Sequence, residues 1–288
     1  AELSLADRWI LSRLQKAIKE VRDLLENYRF SESAQALYHF IWDEFCDWYI
    51  EWSKPFFYRP ERAEQRRGAQ QVIFTVLDSV LRLLHPFMPF LTEEIYQALP
   101  RHEESIMIAP YPEPDPEMIE PEIEEQVEIL KEAVSAIRRL RAENLVPLSA
   151  KVRVLLIADS EEQAEFFRAN QIYLESPPQV NIKELKIQVG GEKPPSYVSS
   201  RIKNAMVCVD LAGLIDFEKE ENRLKKEQAK LKKELERVEK SLARPGFLEK
   251  APPEVVEKQK AIREEILSKL SAVDENLRRL DQLRGQLG

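Results

Sequence analysis

Residues 45–60 read FCDWYIEWSKPFFYRP, and seven of these sixteen side chains are aromatic in a 288-residue chain that holds only 24 Phe, Tyr and Trp in all. Such density has two physical readings: a platform on which bases stack, or one heavily packed helix. Extending the window back to Tyr38 separates them. Tyr38, Phe45 and Trp52 are seven apart, as are Trp42, Tyr49 and Phe56, so six rings fall on one helical stripe. Asp43, Glu44, Asp47 and Glu51 fall on the other side. An acidic face repels phosphates, whereas a stacking platform pairs its rings with a positive groove. The stripe reads as the core of a helix bundle. The chemistry changes where it ends. Lys54-Pro55 reads as a helix stop, and Phe56 to Tyr58 lead as exposed rings into Arg59, Arg62, Arg66 and Arg67. Rings beside guanidinium groups suit unpaired RNA bases. The same arginines also fit a solvated helix start with Glu61 and Glu64 as ion-pair partners, and both readings stay open.

Outward from this segment, helical periodicity predicts helices over 5–28, 33–53 (with Ser31 or Ser33 as cap), 61–84, the stretch LTEEIYQAL opened by Thr92 to Glu94, and 122–144. Residues 105–121 hold five prolines and read as an extended linker. An antiparallel bundle over 1–147 follows. At Pro147 the texture changes. Strand-like runs at 151–157, 183–189 and 205–211, with a helix in EEQAEFFRANQIYLES, predict a small α+β module over 148–214. From Ile215 the pattern is heptad: Phe217, Leu224, Leu231 and Val238, then Val255, Ile262, Ile266, Leu270, Val273, Leu277 and Leu280, with ARPGFLEKAPPE between the two runs. Two apolar seams around a helix breaker predict a long antiparallel coiled-coil hairpin over 215–288, each arm spanning roughly 42–45 Å. The fold class is mainly α.

Composition bounds the function. The chain is 43% hydrophobic and 33% charged, which suits a folded, soluble protein, and no apolar run approaches the ~20 residues of a membrane span. Ala1-Glu2-Leu3 leads straight into a helical pattern with no secretory signal. Cys46 and Cys208 lie far apart in hydrophobic stretches and read as buried core residues of a reducing compartment, so the expectation is a cytoplasmic monomer without a metal site. Seven Gly leave little material for phosphate-cradling loops, and no nucleotide or hydrolase motif is present. Pairs such as Asp43-Glu44 and Glu93-Glu94 read as helix-start or solvated carboxylates, and His39 and His85 as packing or capping groups. No catalytic residue is expected. Net charge is −8, yet residues 223–250 carry ten basic and five acidic side chains. Local charge governs phosphate contacts.

Four stretches then become informative together: ADRWILSRL, FCDWYIEWSKPFF, HPFMPFLTEEIYQALP and AIRRLRAENLVP. They resemble the anticodon-binding bundle of class I aminoacyl-tRNA synthetases of the valine, isoleucine and leucine subgroup. The tail, with DLAGLIDFEKEENRLKKE and SLARPGFLEKAPPEVVEK, is similar to that of valyl-tRNA synthetases. HIGH-like and KMSKS-like signatures are absent from these residues. The resemblance therefore implies the C-terminal, tRNA-binding portion of such a ligase. Its partners would be tRNA and the rest of the same polypeptide, whose catalytic and editing domains would hold ATP and Mg. The chain alone would not be an enzyme. The resemblance also implies that the bundle reads the anticodon, with Arg8, Arg13, Lys16, Phe56, Arg59, Arg62, Arg66 and Arg67 as candidates. The hairpin would reach the tRNA elbow through Lys232, Lys233, Arg237, Arg244 and Lys250, with the α+β module as a spacer. The alternatives are the equivalent piece of an isoleucyl- or leucyl-tRNA synthetase, and a coiled-coil scaffold that never touches RNA. A scaffold has no need of the basic excess at 223–250.

Overall fold

Ser4 begins the first helix, α1 (Leu5–Glu26), through a reciprocal cap: its hydroxyl accepts from the Asp7 amide at 3.2 Å while the Asp7 carboxylate accepts from the Ser4 amide at 2.9 Å. Asp7 is 1% exposed, and its second oxygen accepts from the Tyr49 hydroxyl at 2.6 Å. That bond joins ADRW to CDWY, and a buried carboxylate needs such partners. Burial first, then the Asp7 charge, pushes the Tyr49 phenol far above its usual range. The computed structural model describes residues 3–58, 62–212, 214, 217–243 and 253–287.

The bundle continues with α2 (Phe30–His39), a π-helical segment (Phe40–Ile50), α3 (Glu51–Tyr58), α4 (Ala63–Leu84), α5 (Pro89–Gln97) and α6 (Pro121–Glu143). The π segment corrects the aromatic stripe. A seven-residue repeat stays on one face only at about 3.6 residues per turn, and the wider π winding shears it. Phe45, Trp48, Tyr49, Trp52 and Phe56 are buried, but Tyr38 and Trp42 turn outward at 57% and 53% exposure. A second correction concerns Pro55. The helix does not stop there but runs to Tyr58, with Phe56 only 3% exposed on its inner face. Burial of that ring outweighs the hydrogen bond that proline cannot donate. Neither Ser31 nor Ser33 caps α2, which starts at Phe30 without a side-chain cap, and α5 opens at Pro89, three residues before Thr92. Cys208 is buried, whereas Cys46 is half-buried.

The proline-rich linker is pinned rather than free. Arg82 donates to the Pro110 carbonyl at 2.9 Å and Arg22 to that of Pro112 at 3.0 Å. The Asp115 amide donates to Gln15 and the Glu120 amide to Ser12, both at 2.9 Å. These bonds explain why Ser12 and Gln15 sit buried on α1.

The last turn of α6 closes by a Schellman motif, with the Val146 amide donating to Arg141 at 3.0 Å and the Leu145 amide to Ala142 at 3.2 Å. Leu145 occupies the left-handed position (φ 56°) that glycine would fill without strain. Beyond it lies a four-stranded sheet of β1 (Val152–Ala158), β2 (Ile182–Val189), β3 (Tyr197–Ile202) and β4 (Ala205–Asp210), in the order β2-β1-β4-β3. β1 and β2 are parallel, joined through α7 (Glu161–Ala169) and α8 (Gln171–Glu175); the other pairs are antiparallel. The sheet is seated on the bundle by named bonds. Trp52 donates its indole N–H to the Tyr173 carbonyl at 2.8 Å, Arg138 bonds Gln179 at 2.9 Å, and Arg139 bonds Ser200 at 2.5 Å. Arg141, 2% exposed, donates to the carbonyls of Val180 (2.9 Å), Pro147 (2.7 Å) and Leu148 (3.3 Å). The three arginines of AIRRLR thus build the bundle–sheet junction.

Two long helices complete the chain, α9 (Phe217–Leu242) and α10 (Pro253–Leu287), and they pack on each other. Cross-pairs run in opposite sequence directions: Glu221 with Arg284 at 2.7 Å, Gln228 with Asp274 at 2.5 Å, Glu239 with Arg263 at 3.5 Å. Leu224, Leu231, Ile266, Leu270, Val273 and Leu280 are buried between them.

Candidate nucleic-acid interface

On α1 the three predicted cations are compensated within the fold. Arg8 pairs with Glu120. Arg13 forks onto Glu44 with two bonds of 2.8 Å and reaches Glu124 at 3.2 Å; Lys16 meets the same Glu124 at 2.6 Å. Hydrogen bonds to Glu44 hold the Arg13 guanidinium above its usual range against the opposing effect of burial. Burial pushes the Glu124 carboxyl up, but bonds from Lys16, Ser12 and Arg13 outweigh it and hold the group below the ordinary carboxylate range. A depressed carboxylate stabilises the fold above its unfolded pKa, about 4.3, and loses that effect as pH falls through the lowered folded value. Glu124→Gln is therefore expected to cost about 1–2 kcal/mol at pH 7, a figure kept low because the partners are part-exposed. Denaturant unfolding of both proteins from pH 7 to pH 3 should show the difference closing at the acid end.

The second predicted group divides. Phe56 is a correction: it is core, not an exposed ring, and Arg62 lies over its face at 5.6 Å. Arg66 is half-buried and Arg67 exposed on α4, and neither has a carboxylate within 4.0 Å among the described residues. Arg59 lies outside the described residues. An open groove of about 600 Å³ between α1 and α2 carries Lys16, Lys19, Arg29 and His39 against Glu20, Asp23 and Glu32, the last paired with Arg29.

On the arm, Lys232, Lys233 and Arg237 are exposed and have no carboxylate within 4.0 Å among the described residues; Arg244 and Lys250 lie outside them. The helix shows a larger pattern. Arg223, Lys226, Lys230, Lys233, Arg237 and Lys240 are all exposed and recur at spacings of three and four, which places them in one sector about 100° wide. That sector faces away from the Leu224–Leu231 seam. The stripe is about 26 Å long. Some of its members touch carboxylates on their own helix, such as Arg223 with Glu220 and Lys240 with Glu236, but exposed pairs of this kind are weak and readily exchanged for phosphate. Sequence reasoning counted the charge of 223–250 without its period and so missed four of these six positions. The signal was present, since only periodicity is needed to find it.

A family model described as the anticodon-binding domain of tRNA ligase matches residues 7–156, just over half of the chain. The chain belongs to this family. A second model, the valyl tRNA synthetase tRNA binding arm, matches residues 216–281 and so covers both α9 and nearly all of α10. The chain is 40% identical over 279 residues to the valine–tRNA ligase of Enterococcus faecalis, covering 97% of this chain and 31% of that protein. It is 43% identical over 282 residues to the valine–tRNA ligase of Thermotoga maritima, covering 98% of this chain and 30% of that protein. The chain thus spans less than a third of the length of these relatives. Within the anticodon-binding domain of tRNA ligase, the FCDWYIEW signature acquires a structural meaning: Tyr49 and Trp52 fasten it to α1 and to α8.

Proposed function

We propose that this chain is the tRNA-gripping portion of a valine–tRNA ligase, with the bundle (1–147) reading the anticodon region, the α/β module (148–214) setting direction, and the arm (215–288) contacting the tRNA body at a distance. The arm acts as an antiparallel coiled coil, a reading supported by the opposed cross-pairs and the buried leucine seam. ATP-dependent attachment of valine would belong to the remainder of the polypeptide. The observation that carries this reading is the basic stripe on α9, which points away from the seam and has no packing role. A phosphate backbone is the ligand that such a row of guanidinium and ammonium groups recognises without regard to sequence.

The test is a salt titration of binding to a valine tRNA transcript. Affinity should fall steeply with salt, and the triple change Lys226→Glu, Lys233→Glu, Arg237→Glu should weaken it by about 100-fold and flatten the logarithmic slope by roughly 2–3. A flat salt response, or an unchanged triple variant, would overturn the proposal. Exchanging the anticodon for that of an isoleucine or leucine tRNA should weaken binding by about 1–3 kcal/mol per altered base, by analogy with base readout elsewhere.

A further inference from the structure

We infer that Arg279 is a positioning residue whose hydrogen bond to Asn144 sets the direction of the arm relative to the bundle, so that both reach one RNA molecule. This rests on the function proposed above. Asn144 is the C-cap of α6 and 1% exposed. Its side-chain N–H donates to the Leu140 carbonyl at 2.7 Å, which leaves its oxygen turned outward, where it accepts from Arg279 Nη2 at 3.1 Å. The amide orientation is thereby determined from both ends. Three residues earlier, Arg141 holds the Val180 carbonyl at the foot of β2 and those of Pro147 and Leu148 in the connection to β1. The last turn of α6 therefore holds the module with one side chain and the arm with another.

The two attachments differ in strength. The module meets the bundle through Trp52, Arg138, Arg139, Arg141 and the Lys203–Glu125 pair. Between the arm and either bundle or sheet, the Arg279–Asn144 bond is the one hydrogen bond or ion pair among the described residues. Beside it lies a cavity of about 340 Å³, lined by Leu140, Asn144, Lys193, Tyr197, Leu211 and Arg279. Apolar packing continues through the root by way of Leu211, Leu214 and Phe217, but on the open side of this pocket the Arg279–Asn144 bond is what spans from arm to bundle. Leverage makes the bond matter. From Arg279 to Pro253 the helix runs about 39 Å, so a rotation of about 10° at the root displaces the far end by about 7 Å, more than twice a hydrogen-bond length. For a ligand held at two sites, such slack lowers the effective concentration of the second contact.

Arg279→Met keeps the volume and leaves the Asn144–Leu140 cap intact; Arg279→Lys restores a donor. Two readouts are paired in the full 288-residue chain. Spin labels at Glu26 and Ala261, both exposed and outside the basic stripe, report the spread of arm directions, and binding is measured to an isolated anticodon stem-loop and to the whole valine tRNA transcript. The Met variant should broaden the distance distribution, bind the stem-loop within about twofold of the parent, and lose about tenfold in affinity for the whole tRNA. The Lys variant should recover most of that loss. If the parent binds both RNAs and the Met variant matches it in distance spread and in both affinities, the latch is overturned while the proposed function stands. If the Met variant loses stem-loop and whole-tRNA binding equally, the residue supports the fold rather than arm direction, which also overturns the latch. A parent that binds neither RNA overturns the proposed function instead, and the distance spread of the Met variant then decides the latch alone.

Discussion

Replacing Trp52 by alanine is expected to remove about 5 kcal/mol of stability, the largest single-residue loss in the molecule. Truncating a fully buried tryptophan costs about 3–5 kcal/mol through lost transfer energy and the cavity left behind. Trp52 is 0% exposed, edge-on to Trp9 at 5.7 Å and to Tyr173 at 5.5 Å, and tilted against Trp48 at 5.0 Å. Its N–H is also the donor for the Tyr173 carbonyl, and a buried carbonyl left without a partner adds about 1–3 kcal/mol. Trp52→Phe keeps most of the ring and loses the donor, so about 1–2 kcal/mol is expected. Trp42→Ala is the internal control. At 53% exposure it should cost under about 1 kcal/mol. Urea unfolding of the three variants checks the ranking, and equal losses for Trp42→Ala and Trp52→Ala would refute the π-helical shear of the stripe.

Arg141→Ala is expected to cost about 3–4 kcal/mol. The guanidinium is buried without a carboxylate, and burial draws it below its usual range; carbonyl oxygens alone compensate it. Removing it leaves the Val180 oxygen without its donor in the interior and opens a space the size of a long side chain. Arg141→Met should cost less, about 1–2 kcal/mol, because it fills the space and removes the desolvated charge together with the bonds. Arg141→Lys should not rescue, since one ammonium cannot reproduce a fork reaching three carbonyls. Denaturant midpoints measure all three. A Lys variant as stable as the parent would show that charge rather than fork geometry holds the junction.

Much of this architecture was legible in the residues, and the parts that were not share a cause. Helix positions followed from apolar spacing: α1, α4 and α6 lie within two residues of their predicted spans. The strands at 152–158, 182–189 and 205–210 were visible as β-branched runs. β3 was not, because YVSSRI has two serines and an arginine where a core strand would carry apolar residues, and its pairing to β4 makes it a strand. The π segment was hidden because α-helical winding already sorts FIWDEFCDWYI into a stripe of rings and an opposite face of carboxylates, so nothing in its periodicity registered a change of winding. Trp42 turned outward for that reason. Proline at position 55 read as a stop because its backbone chemistry is local, while the burial of Phe56 that overrides it is not.

Periodicity is written in windows of ten to twenty residues, and such windows were enough to specify most of the helices, the change of texture at Pro147 and the two apolar seams except at Val255, which is exposed while Val256 is buried; the same periodicity marks the basic stripe between Arg223 and Lys240. The fate of each charge was not so written. Arg8 and Glu120 are 112 positions apart, Arg13 and Glu44 are 31 apart, and Arg279 finds Asn144 across 135. A cation is available to a ligand only where no such distant carboxylate reaches it. Folding therefore compensates Arg8, Arg13 and Lys16 and leaves Lys226, Lys233 and Arg237 open, because coupling between distant residues is set by packing and not by local sequence.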